Sequence, residues 1–464
     1  MDATAPPTGL DFGVFLDVRR DQQPHHAARI EAHLRVEATG TGPRDEMPAL
    51  DVALVLALDV SAARREPAAA ALAAALRGLP DGVSFAVLGG ADAHGEPARC
   101  YPLGDRWALA GTREKRRAAF SAGSVAPASG DRPPPGYRTW LAAARTLFAE
   151  RPLPLRHLLL ITDGSGDDPA DHDALRAELD RCAGVFTADV LAVGGDWDPA
   201  PLLAVVETLY GDAAHTPDRF APAVAEAVRR LRRVRSPELP LVVTARPAVR
   251  AVELAETAPH AQRLTPVHPP GEPRRTLFPT HRWEPGVRDY LLTVHADAST
   301  DPLGELLQLV SVRIADTTAP LVVRWLPPGV AVAAGGGGET LQAMNAATRM
   351  RTALDRGYAA LDPLSRSEAE QHFGTAVRLA TEMGADWVLE VVRKVADIVD
   401  GAHGVVRLAP AVDRGTVRRG RLDLATGHRL ELSGPAGGTP RPCPDCRRPG
   451  GPRARYCIAC GRRL

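Results

Sequence analysis

The spacing of apolar residues changes along the chain, and each spacing predicts a different kind of structure. Residues 51–61 read DVALVLALDVS, an apolar run that is typical of a strand covered on both faces of a parallel sheet. The alanine-rich segment 64–79 follows and predicts a helix that ends at Gly-Leu-Pro. The predicted strands of this region are 52–59, 84–88, 156–162 and 184–193. Since amphipathic helices alternate with them, residues 47–235 are predicted to form a Rossmann-like, doubly wound α/β domain.

Alternating apolar and polar residues, which are typical of antiparallel strands with one exposed face, lie on both sides of this domain. On the N-terminal side they occur within residues 10–46, after a start at 1–9 that is predicted to be disordered. On the C-terminal side, short β-rich runs separated by Pro/Gly-rich turns cover residues 236–330. We expect an antiparallel β-sandwich over 236–330, completed by the N-terminal strands.

Residues 338–432 are predicted to be a helical segment with short β-strands, because apolar residues recur there at helical spacing. Pro363 and Gly384 should divide the segment into about three helices. Strands are predicted near its end, over 404–409 and 416–424. The multidomain prediction is therefore an α/β domain, an antiparallel sandwich and a helical segment, followed by a separate tail.

Length and charge narrow the classes of protein to which the sequence can belong. A chain of 464 residues is too long for one core, so we expect about two to four domains. Lys and Arg together number 56 and so do Asp and Glu, and this balance argues against a molecule that binds nucleic acid over its whole surface. No apolar run approaches the roughly 18 residues of a membrane span, and no signal peptide is found. We therefore predict a cytoplasmic protein without membrane association.

Four of the six cysteines lie in the last 22 residues, after a Gly/Pro linker at 433–442. They form two Cys-x-x-Cys pairs with ten residues between them: Cys443, Cys446, Cys457 and Cys460. Four thiolates at this spacing can surround one zinc ion tetrahedrally, which leaves no open position for a water molecule. The tail 443–464 is therefore predicted to be a zinc ribbon with a structural Zn²⁺. Metal binding would supply the folding free energy of a segment too short for an apolar core.

Two alternatives for the tail stay open. Its cysteines could instead form disulfides or remain free thiols, although nothing in the sequence indicates secretion. The tail is also rich in arginine, and a basic ribbon can contact nucleic acid or dock on a protein. Because arginine is abundant throughout the chain, we favour the protein-docking interpretation. The other two cysteines, Cys100 and Cys182, are predicted to be buried free thiols.

Oxygen-bearing side chains follow two of the predicted α/β strands. Asp59 and Ser61 come at the end of the first strand. Asp163 follows Thr162 at the end of a later strand, and Thr139 lies between the two in the chain. This order resembles the von Willebrand factor A domain. The resemblance implies a metal-ion-dependent adhesion site, in which hydroxyl and carboxylate oxygens hold Mg²⁺ and an acidic group of a partner completes the shell. The ligands that it implies are Asp59, Ser61, Thr139 and Asp163.

The sequence departs from the family pattern at two positions. Ala63 stands where the family has a second serine. The family's Thr-Trp-Leu element aligns at Thr139, and this alignment puts Pro135 where the family has its threonine ligand. Either Thr139 takes over that role through a shifted loop, or the ligand is missing. We expect a degenerate metal site in which Asp59 and Asp163 make hydrogen bonds, with Mg²⁺ binding as the alternative.

The order of the domains extends the resemblance to nearly the whole chain. An A domain, an antiparallel sandwich, a helical segment and a four-cysteine ribbon are similar in order to a group of bacterial cytoplasmic von Willebrand A proteins. Three segments also resemble recurrent stretches of that group: 186–197, 289–292 and 393–408. The group is regarded as regulatory or assembly proteins, often encoded beside kinases, phosphatases or ATPases. The resemblance therefore implies a protein partner of one of these three kinds.

Motifs of common enzyme classes are missing from the sequence. It has no Gly-x-x-x-x-Gly-Lys-Ser/Thr phosphate loop, no Gly-x-Ser-x-Gly nucleophile elbow and no His-Glu-x-x-His zinc motif. We therefore predict a non-enzymatic scaffold that binds proteins through its α/β domain and its ribbon. One alternative is an accessory subunit of a chelatase-like ATPase or of a kinase or phosphatase system. The other is a nucleic-acid-associated factor that works through the basic ribbon.

Overall fold

The computed structural model describes residues 9–40, 51–61, 63–91, 96–104, 107–123, 135–166, 172–216, 220–331, 339–361, 365–425, 441–442, 444 and 449–450. These residues divide between two compact units. The first unit draws on Met1–Glu46, Glu238–Pro410 and Gly427–Leu464, and the second on Met47–Pro237 and Ala411–Thr426. Within the described residues, no helix has the length and apolarity needed to cross a membrane.

Both units contain strands and helices, which are numbered here along the chain. The strands are β1 (Leu10–Val18), β2 (Asp21–Gln22), β3 (Ala28–Gly40), β4 (Val52–Asp59), β5 (Ser84–Ala91), β6 (Pro97–Tyr101), β7 (Ala108–Leu109), β8 (Leu155–Thr162), β9 (Thr187–Val193), β10 (Ala213–Thr216), β11 (Ser236–Glu238), β12 (Leu241–Ala245), β13 (Val249–Ala258), β14 (Gln262–Arg263), β15 (Arg275–Phe278), β16 (His281–Trp283), β17 (Gly286–Ala296), β18 (Leu306–Ile314), β19 (Thr317–Trp325), β20 (Ala396–Asp400), β21 (Val405–Leu408), β22 (Arg441–Pro442) and β23 (Pro449–Gly450). The helices are α1 (Arg65–Arg77), α2 (Thr112–Gly123), α3 (Tyr137–Glu150), α4 (His172–Cys182), α5 (Pro199–Thr208), α6 (Phe220–Leu231), α7 (Glu339–Leu361), α8 (Arg366–Met383), α9 (Asp386–Arg393) and α10 (Arg414–Ala425).

The sheet of the second unit has the strand order β10-β9-β8-β4-β5-β6, with β7 also paired to β5. The strands from β10 to β5 in this order are parallel. By contrast, β6 and β7 run antiparallel to β5. The prediction of a Rossmann-like α/β domain is confirmed. The antiparallel edge is an addition that the apolar pattern did not reveal.

Strand β4 lies inside this sheet, and every residue in it is buried. Its side chains alternate between two faces, so that Leu54 and Leu56 enter one apolar core while Val55 and Ala57 enter the other. Helices α1 and α6 contribute to the first core, and α3 and α5 contribute to the second. Because both faces are covered, the strand is apolar until its last residue, Asp59.

The first unit contains two five-stranded sheets. One has the order β1-β3-β17-β13-β14 and is antiparallel, so the N-terminal strands pair with a strand from the region after the α/β domain. The other has the order β15-β12-β18-β19-β2 and is mixed, because β2 pairs parallel to β19. It departs from the antiparallel pattern that the sequence predicts. Arg324 donates to both carboxylate oxygens of Asp21, at 2.8 and 3.0 Å, and this long-range ion pair holds β2 at the sheet edge.

Three helices and the antiparallel hairpin β20–β21 follow in the first unit. Helix α8 ends at the predicted break, Gly384, whose φ of 68° lies in the left-handed region that favours glycine. The other predicted break, Pro363, lies outside the described residues. The strand predicted over 404–409 corresponds to β21.

The strand predicted over 416–424 is wrong, because these residues belong to helix α10 of the second unit. Asp413 caps this helix: its carboxylate accepts hydrogen bonds from the backbone N–H and the hydroxyl of Thr416, at 2.9 and 3.1 Å. Leu422 is fully buried in one core of the α/β domain. The alternation around Leu422 imitates a strand locally, whereas the cap and the tertiary contact favour a helix.

Replacing Leu422 by Ala should loosen α10, since the change leaves a cavity in the core. Substitutions of this kind cost about 2–5 kcal/mol of the free energy of unfolding. Hydrogen–deuterium exchange should therefore be faster in α10 and in β10, which contacts it. The control is Arg414→Ala, at an exposed position of the same helix, which should leave exchange in β10 unchanged. Equal exchange in Leu422→Ala and wild type would contradict the buried position of this side chain.

Candidate functional site

The carboxyl ends of β4 and β8 meet at one edge of the parallel sheet. Asp59 and Thr162, the last residues of these strands, are paired in the ladder. The backbone N–H of Asp163 donates to the carbonyl of Asp59 at 3.1 Å, so the loops that follow the two strands start side by side. Ligands of open α/β sheets bind at this edge.

Ser61 and Asp163, two of the predicted metal ligands, are joined directly. Both the backbone N–H and the hydroxyl of Ser61 donate to one carboxylate oxygen of Asp163, at 2.9 and 2.6 Å. The other oxygen accepts the backbone N–H of Ser165 at 3.0 Å. The hydroxyl of Ser61 is thus committed to the carboxylate, and the fold closes this contact across 102 residues of sequence.

Asp59, the third predicted ligand, is almost completely buried. One of its carboxylate oxygens accepts a hydrogen bond from the hydroxyl of Thr162 at 2.7 Å. That hydroxyl has one proton, so in its 3.3 Å contact with the hydroxyl of Tyr137 the donor is Tyr137. Thr162 and Tyr137 support the site, and the sequence analysis did not assign them to it. The position of Thr162 directly before Asp163 is the signal that could have identified it.

Thr139, the fourth predicted ligand, belongs to the first turn of α3. Its hydroxyl donates to the carbonyl of Gly136 at 2.7 Å, a local bond that is typical of threonine at a helix start. The carbonyl of Pro135 lies beside Asp59: a Cβ added at Gly166 would come within 2.4 Å of this carbonyl oxygen and 3.0 Å of the Asp59 carboxylate. The residue that the family alignment puts at the ligand position is therefore close to Asp59, and its side chain carries no oxygen.

Arg64 brings a positive charge to the edge. Its guanidinium lies 3.6 Å from the carboxylate of Asp163 and donates to the carboxylate of Asp196 at 3.1 Å. Gly194 makes room for it, because a Cβ at this position would fall 2.5 Å from the guanidinium carbon. The exposed fraction of the side chain is 33% for Arg64, 1% for Asp163 and 80% for Asp196. The sequence analysis missed Arg64 and Asp196, although Arg64 directly follows the Asp-x-Ser-x-Ala stretch.

The loop that follows β9 carries Asp196 and completes the edge. It approaches the loop after β8 closely, since a Cβ at Gly164 would come within 2.6 Å of the Cα of Trp197. Helix α10 holds the same loop, because Arg418 donates to the carbonyl of Gly195 at 2.9 Å. Loops from three strands and one distant helix therefore position the charged side chains of the edge.

Hydrogen bonds set the charge of Asp163. Burial alone would raise the pKa of this carboxyl, but the bonds from Ser61 and Ser165 outweigh burial and lower its pKa below the ordinary value. Asp163 is therefore ionised at neutral pH. Its buried negative charge is compensated by these donors and by the guanidinium of Arg64.

Comparison with known proteins supports the α/β fold of the second unit. The family model described as von Willebrand factor type A domain matches residues 52–214. The chain therefore contains a von Willebrand factor type A domain, as the sequence analysis predicts. No curated protein matches the chain in sequence.

Two solved structures are similar to nearly the whole chain. The first is a von Willebrand factor type A protein from Catenulispora acidiphila, with a TM-score of 0.76 and 21% identity over 90% of this chain and 96% of that one. The second is the ArnB paralog VWA2 from Sulfolobus acidocaldarius, with a TM-score of 0.52 and 10% identity over 90% of this chain and 99% of that one. At these identities, the similarity establishes the fold alone.

The family resemblance implies a divalent metal at this edge, and the residues present fit one poorly. Mg²⁺ requires oxygen ligands in near-octahedral geometry. The positions of the second serine and of the threonine hold Ala63 and Pro135, whose side chains offer no oxygen. The carboxylate of Asp163 already accepts three donors, and Arg64 supplies a cation beside it. These observations favour hydrogen bonding over metal binding.

The cysteines fall into two groups. The predicted zinc ligands lie outside the described residues: Cys443, Cys446, Cys457 and Cys460. Cys100 and Cys182 are free, as predicted, although only Cys182 is fully buried. Burial raises the pKa of Cys100 to about 11 and that of Cys182 to about 12. Both are therefore thiols at neutral pH, which is typical of unreactive structural cysteines.

Substituting Asp163 by Asn should destabilise the protein at neutral pH, since it removes a charge that accepts three hydrogen bonds. Bonds to a charged group contribute about 1.5–3 kcal/mol each to the free energy of unfolding, and rearrangement offsets part of such losses. Because folding lowers the pKa of Asp163, its contribution is present above the unfolded value of about 4 and is lost as the pH falls through the native value. The difference from wild type should therefore be smaller in denaturant unfolding at pH 3 than at pH 7.

The control for this measurement is Asp180→Asn, at an exposed position of α4, which should leave unfolding unchanged at both pH values. A difference between Asp163→Asn and wild type that does not depend on pH would contradict an ionised Asp163 in the native protein.

Proposed function

We propose that this protein is a non-enzymatic scaffold that binds a protein partner through the carboxyl edge of its von Willebrand A domain. The observation that supports the proposal is the arrangement of Arg64, Asp163 and Asp196. A buried charge, a partly exposed cation and an exposed carboxylate lie together at the edge where open α/β sheets bind ligands. Such groups offer a partner charged hydrogen bonds, which are stronger than neutral ones.

In this proposal, the edge is a degenerate adhesion site. Asp59, Ser61 and Asp163 keep the positions of metal ligands, but hydrogen bonds to neighbouring residues satisfy them. Recognition then depends on the charge and shape of the loops and not on a bound ion. The alternative is Mg²⁺ held by these three side chains, with Thr139 joining only if its loop shifts.

The rest of the chain supports this domain and adds a second docking point. The two five-stranded sheets of the first unit would pack as a β-sandwich, which is the usual way to bury one face of each sheet. The tail would bind one structural Zn²⁺ through its four cysteines and dock on protein. By resemblance, the scaffold works in the bacterial cytoplasm with an ATPase, a kinase or a phosphatase.

Capture of partners on immobilised full-length protein tests the edge. A tyrosine in place of the exposed Ser165 should cover the edge and weaken capture at least tenfold, which corresponds to about 1.4 kcal/mol. The matched control is Arg77→Tyr, at the exposed end of α1, about 20 Å along the helix from its start. Quantitative mass spectrometry should find a protein that wild type and control retain and Ser165→Tyr loses.

Identical partners on all three proteins would contradict binding at the edge. Recovery of nucleic acid in place of a protein would instead favour the alternative that assigns binding to the basic ribbon.

Elemental analysis of the purified full chain tests the ribbon. We expect about one zinc per chain, because four thiolates fill a tetrahedral shell. Cys457→Ser should lower this content and release the metal more readily to a chelator, whereas Cys100→Ser, which changes a free thiol, should leave it unchanged. Zinc contents that are equal in the two variants would contradict the four-cysteine site.

A further inference from the structure

The family resemblance implies a metal ion at the edge of the A domain, and the guanidinium of Arg64 lies 3.6 Å from the carboxylate of Asp163, one of the implied ligands. We propose that the guanidinium of Arg64 replaces that ion. It compensates the negative charge of Asp163 and binds a side-chain carboxylate of a protein partner. When no partner is bound, the carboxylate of Asp196 takes the place of that partner group. This inference rests on the proposed function, because it assigns the chemistry by which the same edge would recognise its partner.

Asp163 is a buried carboxylate beside a cation. The side chain of Asp163 is 1% exposed, and a buried carboxylate needs a cation or strong donors to remain ionised. The guanidinium of Arg64 lies 3.6 Å away and carries a positive charge. A divalent ion next to Asp163 would have to displace this guanidinium or tolerate its repulsion. The position of Arg64 therefore opposes metal binding directly, in addition to the lack of side-chain oxygens at Ala63 and Pro135.

Arg64 is positioned by its backbone and by its neighbours. Its backbone N–H donates to the carbonyl of Ser61 at 3.1 Å, which ties it to the loop of the predicted metal ligands. Its guanidinium rests against Gly194, where any side chain would collide with it. Arg64 also stands immediately before α1, a helix of 13 residues whose amino end favours negative charge. The backbone of Arg64 is thus held at the edge, and its guanidinium lies near a helix end that favours an anion.

Within the chain, the guanidinium of Arg64 already binds a carboxylate. Asp196 accepts a hydrogen bond from it at 3.1 Å, but 80% of the Asp196 side chain is exposed. Ion pairs this exposed contribute little to stability, so a partner's carboxylate can exchange with Asp196 at small cost. The planar guanidinium suits this exchange, since its N–H groups match the two oxygens of a carboxylate.

Charge balance predicts exchange and not addition. The guanidinium of Arg64 already faces two carboxylates, those of Asp163 and Asp196. A further carboxylate would be repelled while Asp196 stays in place. Removing the charge of Asp196 should therefore strengthen binding of an acidic ligand, whereas removing the charge of Arg64 should weaken it.

The test uses full-length protein and fluorescence anisotropy of a fluorescein-labelled peptide of six aspartates, in excess EDTA. A peptide of six asparagines reports binding that does not depend on carboxylates. We expect Asp196→Asn to bind the aspartate peptide roughly fivefold more tightly than wild type, and Arg64→Gln to bind it at least tenfold less tightly. Arg77→Gln, at the exposed end of α1, should bind as wild type does. Replacing EDTA by Mg²⁺ should not change any of these affinities.

Two further variants separate the proposal from a general effect of charge or folding. Arg64→Lys keeps the charge and loses the planar fork, so its affinity should fall between those of wild type and Arg64→Gln. In the Arg64→Gln background, Asp196→Asn should no longer strengthen binding, because the group for which it competes is absent. Circular dichroism shows whether each variant is folded, and Asp196→Asn changes only an exposed side chain.

Several outcomes would overturn the proposal. They are equal affinity in Arg64→Gln and wild type, binding that appears only when Mg²⁺ replaces EDTA, and absence of binding by both wild type and Asp196→Asn. So would additive effects of the two substitutions. If Ser165→Tyr removes a captured partner while Arg64→Gln retains it, the edge still binds protein and only the role of Arg64 fails. If neither substitution affects the captured partner, the proposed function fails as well.

Discussion

The compensation of one buried negative charge organises the ligand edge of this domain. Asp163 is ionised in a position that water hardly reaches, and an uncompensated charge there would oppose folding strongly. Three hydrogen bonds and one guanidinium supply the compensation, and they come from the loops after β4 and β8 and the start of α1. The same carboxylate therefore fixes the loops relative to each other and defines which groups face solvent.

The central strand makes this arrangement possible. Because β4 buries both faces, Leu56 and Val55 anchor it in separate cores and its end cannot shift without disturbing both. Asp59, the last residue of the strand, is its first polar side chain, and its carboxylate accepts a hydrogen bond from the hydroxyl of Thr162 in the paired strand. The geometry of the edge is thus inherited from the packing of the sheet, which explains why most of its residues follow strand ends.

Sequence reasoning succeeds here where the signal is local. The run before Asp59 identifies the buried strand, and the hydroxyl and carboxylate that follow β4 and β8 identify the edge. It fails where a contact joins residues that are distant in sequence. Arg64 contacts Asp196 across 132 positions, and Leu422 packs in the core of the A domain although residues 238–410 of the first unit separate the two in sequence. Neither contact changes the spacing of apolar and polar residues from which the sequence predictions are made. The helix that contains Leu422 has one local signal, the capping residue Asp413. The alternation of Leu422 and Leu424 with polar residues instead favours a strand and hides this signal.

Replacing a metal by an arginine changes what an adhesion site can do. A divalent ion offers two charges and an open coordination position, but its occupancy depends on supply. A guanidinium offers one charge in a planar fork, always present, and its reach is set by the loop that carries it. The exchange also demands space, because a guanidinium is larger than an ion. Gly194 provides this space at the end of β9, where a side chain would meet Arg64 at 2.5 Å. The loop after β9 thus contributes both the space at Gly194 and the carboxylate of Asp196 that competes for Arg64.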